Sequence, residues 1–155
     1  MVSFIHHNPP LGVITLEDED GALTALTFDK IKPLNGINQA TPLLQTAARQ
    51  LDEYFAGTRR AFSLPLKPSG TPFQLQCWQA LCRIPYGKTI SYSQQAAMAG
   101  NPKACRAAGM ANRANPLPIF IPCHRVIGKN GALTGYGSGF PIKKFLLQLE
   151  TGKDG

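Results

Sequence analysis

The chain has 155 residues, of which 43% are hydrophobic and 16% are charged, and its formal net charge is +7. This length and composition indicate a globular protein of one ordinary domain or two small ones, with enough apolar side chains to bury a core. No stretch approaches the roughly 18 apolar residues of a membrane span, and the first residues lack the basic start and apolar run of a signal peptide, so we expect a cytoplasmic protein.

Positive charge is concentrated in the second half of the chain. Residues 1–70 carry 6 Lys and Arg against 7 Asp and Glu, whereas residues 71–155 carry 10 against 2. No acidic residue lies between Glu53 and Glu150. An acid-free basic region is expected where a surface lies against phosphate groups, although a solvated basic face without a partner would have the same composition. Charge alone therefore favours a nucleic-acid partner.

The first half of the chain is predicted to form a small sheet and a helix. Residues 11–28 alternate apolar and polar side chains around a turn signal at 17–21, which predicts a hairpin. Thr41 and Pro42 provide an N-cap and a first helical residue, and apolar residues then recur at helical spacing until Gly57. A short strand is expected at residues 62–66.

A segment rich in proline, glycine and serine, residues 67–72, coincides with the change in charge. Because domain boundaries fall in such linkers, we place one there. The predicted domains are residues 1–70, with a sheet and a helix, and residues 71–155, which are mainly helical. The fold class is therefore α+β.

The first helix of the second half is predicted to start at Thr71 and Pro72 and to end at residues 85–87. One of its faces is apolar and contains Phe73, Cys77, Ala80, Leu81 and Ile84. Cys77 is therefore expected in the core, although Gln76-Cys77-Trp78 also resembles part of a papain-like hydrolase motif. That alternative lacks the Gly-Ser pair before the cysteine.

The next two helices are predicted to form a helix-turn-helix. Ser91 and Gln94 have the spacing of a capping box at the start of one helix, which ends at Gly100. Asn101-Pro102 is expected to cap a second helix that runs to about Arg113 and carries basic side chains. Its alanines would let a backbone approach DNA closely, but tight packing between the two helices explains them equally well.

Cys123 is the candidate nucleophile among the four cysteines, which show no two-residue spacing of a zinc or redox motif. A proline-rich apolar run, residues 117–121, leads rigidly into Pro122-Cys123-His124. Positive surroundings and an adjacent imidazole favour the thiolate form of a cysteine. A structural cysteine is the alternative that the dipeptide alone leaves open.

The last helix is predicted to begin at Pro141, with an apolar stripe that contains Ile142, Phe145, Leu146 and Leu149. Glu150 lies at the edge of this stripe, where a buried carboxylate needs a partner. A contact with His124 would complete a Cys–His–Glu relay in which the acid orients the imidazole. The alternatives are an exposed Glu150 at the helix end or a pair with Arg125.

Taken together, these motifs resemble the O6-alkylguanine-DNA alkyltransferase family over about residues 73–150. The residues that carry the resemblance are Ile90-Ser91-Tyr92, Asn101-Pro102-Lys103, Asn115-Pro116, Pro122-Cys123-His124-Arg125-Val126, Gly135-Tyr136, Lys143 and Leu146-Leu147 to Glu150. The family places a small ribonuclease-H-like sheet and helix domain before a helical, winged-helix-like domain that binds DNA. The resemblance implies direct repair, in which the alkyl group of O6-alkylguanine moves irreversibly to Cys123, with O4-alkylthymine as a second candidate substrate.

The resemblance also assigns roles to individual residues. It implies that Cys123 accepts the alkyl group, that His124 (through a water) and Glu150 activate it, and that Asn115 braces its turn. Tyr92 is expected to assist the leaving guanine and to touch a phosphate, and Arg106 to replace the extruded base. Further DNA contacts are expected from Lys103, Ala104 and Arg113, and the substrate pocket is expected to contain Cys123, Val126, Tyr136, Gly137 and Ser138.

The expected partner is double-stranded DNA that contains O6-alkylguanine. We expect the protein to act as a monomer, without a cofactor and without binding a membrane. Gly137 replaces a serine of certain relatives, so a backbone amide would have to contact the guanine oxygen. We expect no zinc site, since His6 and His7 have no nearby cysteine partners and are predicted to be surface residues or a frayed end. The rival function is a protein that binds alkylated bases without reacting. Relatives of that kind commonly have tryptophan in place of the acceptor cysteine.

Overall fold

The computed structural model describes residues 2–7, 10, 12–28, 36–128 and 139–152. The chain divides into two compact units, residues 1–69 and residues 70–155. The first contains a four-stranded sheet and a helix, and the second consists mainly of helices. The α+β class predicted from the sequence is confirmed.

The sheet of the first unit has the strand order β3-β2-β1-β4. Its strands are β1 (Val2–His7), β2 (Ile14–Glu19), β3 (Ala22–Phe28) and β4 (Ile37–Asn38). β2 and β3 form the predicted hairpin. Asp20 and Gly21 connect them with φ angles of 52° and 79°, and a two-residue hairpin turn with positive φ at both positions favours this Asp-Gly pair.

The sequence left two alternatives for His6 and His7, surface residues or a frayed end. His6 is exposed, as the first alternative predicts, but the second is wrong, because the start of the chain is the strand β1, antiparallel to β2 and parallel to β4. His6 Nδ1 lies 2.9 Å from Thr15 Oγ1, and His7 Nε2 lies 2.7 Å from Asp52 Oδ1, so both rings are held by hydrogen bonds. The strand expected at residues 62–66 is reduced to an isolated bridge between Leu66 and Leu23.

The helix of the first unit, α1 (Pro42–Phe55), begins where the sequence predicts. The Thr41 side chain accepts a hydrogen bond from the Leu44 amide at 3.1 Å, so it caps the helix. The buried face of α1 includes Leu44, Ala47 and Leu51, each with no exposed surface. α1 contacts three of the four strands and thereby covers the sheet.

The second unit contains four helices among its described residues, and two short strands. They are α2 (Pro72–Leu81), β5 (Ile90–Ser91), α3 (Tyr92–Met98), α4 (Cys105–Arg113), β6 (Val126–Ile127) and α5 (Phe140–Thr151). Capping boxes start α2 at Thr71 and Gln74 and α3 at Ser91 and Gln94, the latter as predicted. Each box satisfies two amides that a helix start leaves without partners.

Two helix boundaries differ from those predicted. α2 ends at Leu81, before the Pro85 that was expected to stop it. α4 starts at Cys105 without a side-chain cap, because residues 101–104 form a turn in which the Ala104 amide donates to the Asn101 carbonyl at 3.0 Å. The helix-turn-helix therefore contains a longer turn and a shorter second helix.

Small side chains let α2, α3 and α4 pack closely. The buried cluster between them contains Cys77, Ala96, Ala99, Ala108 and Ala111, with Phe73 packed against it. Cys77 is fully buried, which confirms its prediction as a core residue. The two amides of Gln95 and Asn112 exchange hydrogen bonds at 2.7 and 2.8 Å inside this core, so the polar groups are satisfied and the helix pair is held in register.

The buried face of α5 differs from the predicted apolar stripe. Phe145 is 36% exposed, whereas Lys143 and Glu150 are 1% and 7% exposed and lie on the same side as the buried Leu146. Buried charges are stable only when they are paired or hydrogen-bonded. α5 therefore delivers two charged side chains into the interior of the second unit.

Candidate active site

A compact buried loop positions Cys123. Residues 117–123 are all buried, and the Ile121 amide donates to the Leu117 carbonyl at 2.8 Å. Ile119 has a φ angle of 76°, which is unfavourable for a β-branched residue and costs of the order of 1–3 kcal/mol. The loop then passes into a 3₁₀ turn over Cys123–Arg125. Cys123 thus lies on a tightly constrained backbone, with 3% of its surface exposed.

Asn115 ties this loop together through its side-chain amide. Its Nδ2 donates to the Ile121 carbonyl at 2.8 Å and lies 3.2 Å from Cys123 Sγ, and its Oδ1 accepts from the Leu117 amide at 2.9 Å. These contacts connect the turn that carries Cys123 to Asn115 and Leu117. A donor directed at the sulfur also favours a thiolate.

The second sheet brings Tyr92 and Lys143 to the same region. β5 pairs in parallel with β6, with Ile90 opposite Val126. β5 leads directly into Tyr92 at the start of α3, and the Lys143 ammonium lies 5.9 Å from the centre of the Tyr92 ring. Lys143 Nζ also donates to the Val126 carbonyl at 2.6 Å. Val126 is fully buried beside these groups.

Glu150 contacts both residues that the sequence offered as alternative partners. His124 Nε2 lies 2.6 Å from Glu150 Oε2, and the Arg125 guanidinium donates to both carboxylate oxygens, at 2.9 and 3.0 Å. The Gly87 amide donates to Oε1 at 3.3 Å. Glu150 is therefore not an exposed helix-end residue, and its buried charge is compensated by several donors.

These contacts determine which nitrogen of His124 can accept a proton. An ionised Glu150 is only an acceptor, so His124 Nε2 carries hydrogen and Nδ1 keeps the lone pair. Nδ1 is buried, and no described residue offers it a hydrogen bond. Burial lowers the pKa of His124 and outweighs the opposing effect of Glu150. The neutral ring is therefore a base whose accepting nitrogen, Nδ1, receives no hydrogen bond from the described residues.

The Cys123 thiol itself differs from the sequence expectation. Burial raises the pKa of Cys123 to about 11, despite the lowering effects of the Asn115 hydrogen bond and the Lys143 charge. Burial likewise lowers the pKa of Lys143 to about 8. The expectation that basic surroundings would stabilise a thiolate is corrected, because desolvation of the sulfur is the larger effect. At neutral pH Cys123 is therefore a thiol, and a nucleophilic role for it would require a base.

The residues expected to contact DNA lie on and before α4. Lys103, Arg106 and Arg113 are exposed, Ala104 is partly exposed, and Met110 is 64% exposed on the same helix. Ala108 and Ala111 instead face the core, so the alanines of this region serve both packing and surface. Tyr136, Gly137 and Ser138, which were predicted for the substrate pocket, lie outside the described residues.

Neither a metal cluster nor a membrane helix occurs in the described part of the chain. There, no three His, Cys, Asp or Glu side chains are grouped so that they could hold a metal ion. No described helix is long and apolar enough to span a bilayer.

Comparison with known proteins identifies the family. Residues 72–152 match the family model described as 6-O-methylguanine DNA methyltransferase, DNA binding domain, and residues 6–68 match its ribonuclease-like domain. The chain belongs to the 6-O-methylguanine DNA methyltransferase family. Its two units correspond to the two domains of that family, as the resemblance found in the sequence implied.

Relatives within the 6-O-methylguanine DNA methyltransferase family are similar over nearly the whole chain. The constitutive methylated-DNA–protein-cysteine methyltransferase of Bacillus subtilis is 53% identical, over 91% of this chain and 90% of its own. The enzyme of that name from Methanosarcina barkeri is 49% identical, over 91% and 92%. A crystal structure of Mycobacterium tuberculosis OGT in complex with DNA is 41% identical, with a TM-score of 0.89 and coverage of 97% and 93%. These relatives do not favour the alternative function, a protein that binds alkylated bases without reacting.

Sequence reasoning missed the positions of two charged residues in this site. Arg125 was considered only as a competitor of His124 for Glu150, whereas the carboxylate contacts both. Lys143 was recognised as part of the family pattern but was not predicted to be buried. The spacing of Lys143, Leu146 and Glu150, at three and seven residues, was the available signal for a shared helix face.

Proposed function

We propose that this chain repairs O6-alkylguanine in DNA by transferring the alkyl group to Cys123 Sγ, once per protein molecule. The contact that carries the proposal is the 2.6 Å hydrogen bond between His124 Nε2 and Glu150 Oε2 next to a buried Cys123. It leaves His124 Nδ1 as the acceptor for the thiol proton, through a bridging water as the family resemblance implies. Duplex DNA is the proposed partner, and a cytoplasmic monomer without a cofactor is part of the proposal.

The proposed reaction is a displacement at the alkyl carbon. The sulfur–carbon bond forms as the bond between that carbon and guanine O6 breaks, and the electron pair stays on the purine. The Tyr92 hydroxyl is the proposed donor to this developing negative charge, which would lower the barrier. The thiol proton moves to His124. The purine anion then takes up one proton and His124 releases one, so that the products are neutral guanine, neutral His124 and the thioether. The resulting thioether is stable in water, so Cys123 is consumed.

DNA binding is proposed for residues 71–155, with α4 against the duplex. Arg106 projects from the exposed side of this helix, which suits a residue that fills the space of an extruded base. Lys103 and Arg113 flank it and are proposed to contact phosphates. Cys123 and Val126 are proposed to lie against the flipped base, and the family resemblance assigns Tyr136, Gly137 and Ser138 to the same pocket.

One experiment tests the reaction and its acceptor together. Protein is incubated with excess duplex oligonucleotide that contains O6-methylguanine, and its mass is measured intact and after digestion. We expect one added methyl group, on Cys123, and no further turnover. Cys123→Ser should lose transfer and retain DNA binding, while Cys105→Ser, which removes an exposed cysteine, should react normally. Repeated turnovers, or a methyl group on another residue, would contradict the proposal.

A further inference from the structure

Arg125 makes more contacts than a structural ion pair requires. Its Nε and Nη2 donate to the two oxygens of Glu150 at 2.9 and 3.0 Å, and its Nη1 donates to the Ile84 carbonyl at 2.7 Å. The Tyr86 ring lies 5.8 Å from the guanidinium carbon. The group is buried, with 8% of the residue exposed. It is therefore fixed in place beside the acid that orients His124.

The charges of this cluster cancel only because Arg125 is present. Arg125 carries +1 and Glu150 carries −1, so a neutral His124 completes a group with no net charge. A proton added to His124 would give the buried group a net charge of +1, which burial disfavours. Without Arg125, the Glu150–His124 pair would carry −1, and one added proton would neutralise it. Burial would then favour the protonated imidazole.

We infer that Arg125 is a positioning residue that keeps His124 neutral, and so able to accept the Cys123 proton, by matching the charge of Glu150. The inference rests on the proposed alkyl transfer for its kinetic consequence but not for its charge argument. Arg125 acts on the sulfur through Glu150 and His124, because its guanidinium hydrogen-bonds Glu150 and the Ile84 carbonyl and lies beside the Tyr86 ring.

The other ionisable groups near His124 act in the same direction or remain neutral. On α5, the Lys143 ammonium lowers the pKa of His124, as Arg125 does, whereas Glu150 raises it. Cys123 precedes His124 in the 3₁₀ turn, and its raised pKa keeps it a thiol at neutral pH. Cys82, at the end of α2, is close enough to Arg125 to feel its charge, but burial raises its pKa as well. Of Arg125, Lys143, Cys123 and Cys82, it is Arg125 whose guanidinium hydrogen-bonds both oxygens of the carboxylate that holds His124.

The test compares Arg125→Gln, which removes the charge, with Arg125→Lys, which keeps it but loses the two-pronged contact. Arg83→Gln is the matched control, because Arg83 is exposed and its guanidinium donates to the Met98 carbonyl at 3.0 Å rather than to a carboxylate. The protonation state of His124 is followed by nitrogen NMR of its ring as a function of pH. The rate of methyl transfer from O6-methylguanine duplex is measured over the same range.

In the wild type and Arg83→Gln, His124 should remain the neutral Nε2–H form at neutral pH and below. In Arg125→Gln, the pH at which His124 takes up a proton should rise by about one unit or more. Transfer by Arg125→Gln should then slow at pH values below the raised midpoint, by about tenfold for each further pH unit, and should recover at higher pH, because the neutral imidazole is the base. Arg125→Lys should keep the wild-type pH dependence even if its rate is lower.

Several results would overturn the inference. They are a protonated His124 in the wild type at neutral pH, an unshifted His124 titration in folded Arg125→Gln, or a shift in Arg125→Lys as large as that in Arg125→Gln. If Arg125→Gln does not fold, the pH titrations of His124 in the wild type and in Arg125→Lys decide whether the inference stands. A wild-type protein that fails to methylate Cys123 would refute the proposed function, while the NMR titration would still test the role of Arg125.

Discussion

His124 Nε2 and Glu150 Oε2 lie 2.6 Å apart and are both buried, although 26 residues separate them along the chain. The hydrogen bond joins the 3₁₀ turn that carries Cys123 to the last turn of α5. It fixes the orientation of the imidazole and leaves Nδ1 to act as a base. The proposed activation of the thiol therefore depends on the correct docking of α5.

Glu150→Gln should reduce both stability and rate. The amide cannot stabilise a developing imidazolium, so alkyl transfer should slow. It also leaves the buried Arg125 without a counter-ion, which typically costs about 3–5 kcal/mol. Chemical denaturation followed through the only tryptophan, Trp78, measures the free energy of unfolding of the second unit. Mass spectrometry after reaction with O6-methylguanine duplex measures the rate.

Glu53→Gln is the control for this substitution, because Glu53 forms a partly exposed ion pair with Arg59 in the first unit. Exposed pairs contribute at most about 1 kcal/mol, so its alkyl transfer should be unchanged. A folded Glu150→Gln protein that reacts at the wild-type rate would remove Glu150 from the mechanism. Unchanged stability would show that Arg125 does not depend on the carboxylate.

Local signals in the sequence predict the parts of the fold that local chemistry determines. Thr41-Pro42 starts α1, the Ser91 and Gln94 capping box starts α3, and Asp20-Gly21 lies between two paired strands. The strand β1 was missed, and one of its two partners, β4, is distant in sequence, with Ile37 opposite Ser3. Strand pairing that depends on tertiary contacts leaves little trace in the hydrophobic periodicity of the sequence.

The active site shows the same division between local and tertiary information. The motif around Cys123 and the single carboxylate of the region were enough to predict the contact between His124 and Glu150. The burial of Lys143 was not predictable from hydropathy, which treats a lysine as a surface residue. Nor could composition show that desolvation of Cys123 outweighs the nearby positive charge. Both depend on how deeply the folded chain encloses these atoms.

The raised pKa of Cys123 predicts a defined pH dependence of stability. The pKa of Cys123 is about 11 in the folded protein and near 9 in an ordinary cysteine. The folded state therefore binds the thiol proton more tightly than the unfolded chain does, and the resulting contribution to the free energy of unfolding is complete below pH 9. It should be lost as the pH rises to 11, by an amount of the order of 3 kcal/mol. We expect the difference in unfolding free energy between wild type and Cys123→Ser to shrink over this interval. Ultraviolet absorbance should show no Cys123 thiolate at neutral pH.

The contribution of Lys143 to stability changes with pH in the direction opposite to that of Cys123. For that reason the wild type is compared with Cys123→Ser rather than measured alone. The lowered pKa of Lys143, about 8, means that the unfolded chain holds the ammonium proton more tightly, so this contribution to stability increases between pH 8 and its ordinary value of 10.5. Both proteins retain Lys143, so most of this effect cancels in their difference. A thiolate signal at neutral pH, or a difference that grows above pH 9, would contradict the burial argument.

Lys143→Met should slow alkyl transfer severalfold. The ammonium is the charged group that lowers the pKa of Cys123, and it lies over the Tyr92 ring. Methionine has a similar length but no charge, so a forming thiolate would lose the positive charge that favours it. Lys144→Met is the matched control, because Lys144 is the next residue and is exposed. Single-turnover rates should fall for Lys143→Met alone, and equal rates for both variants would show that the Lys143 charge does not assist the reaction.

Arg106→Ala should separate base extrusion from chemistry. Arg106 lies on the exposed side of α4, away from the hydrogen bonds that surround Cys123. Extruding a paired base costs a few kcal/mol, so loss of the residue that replaces the base should slow repair of duplex DNA by tenfold or more. Reaction with free O6-benzylguanine, which needs no extrusion, should be nearly unchanged.

The control is Arg113→Ala, at the other end of the helix. This variant should bind DNA more weakly but should repair the bound duplex at the normal rate. Equal losses on both substrates would place Arg106 in the substrate pocket or the fold instead.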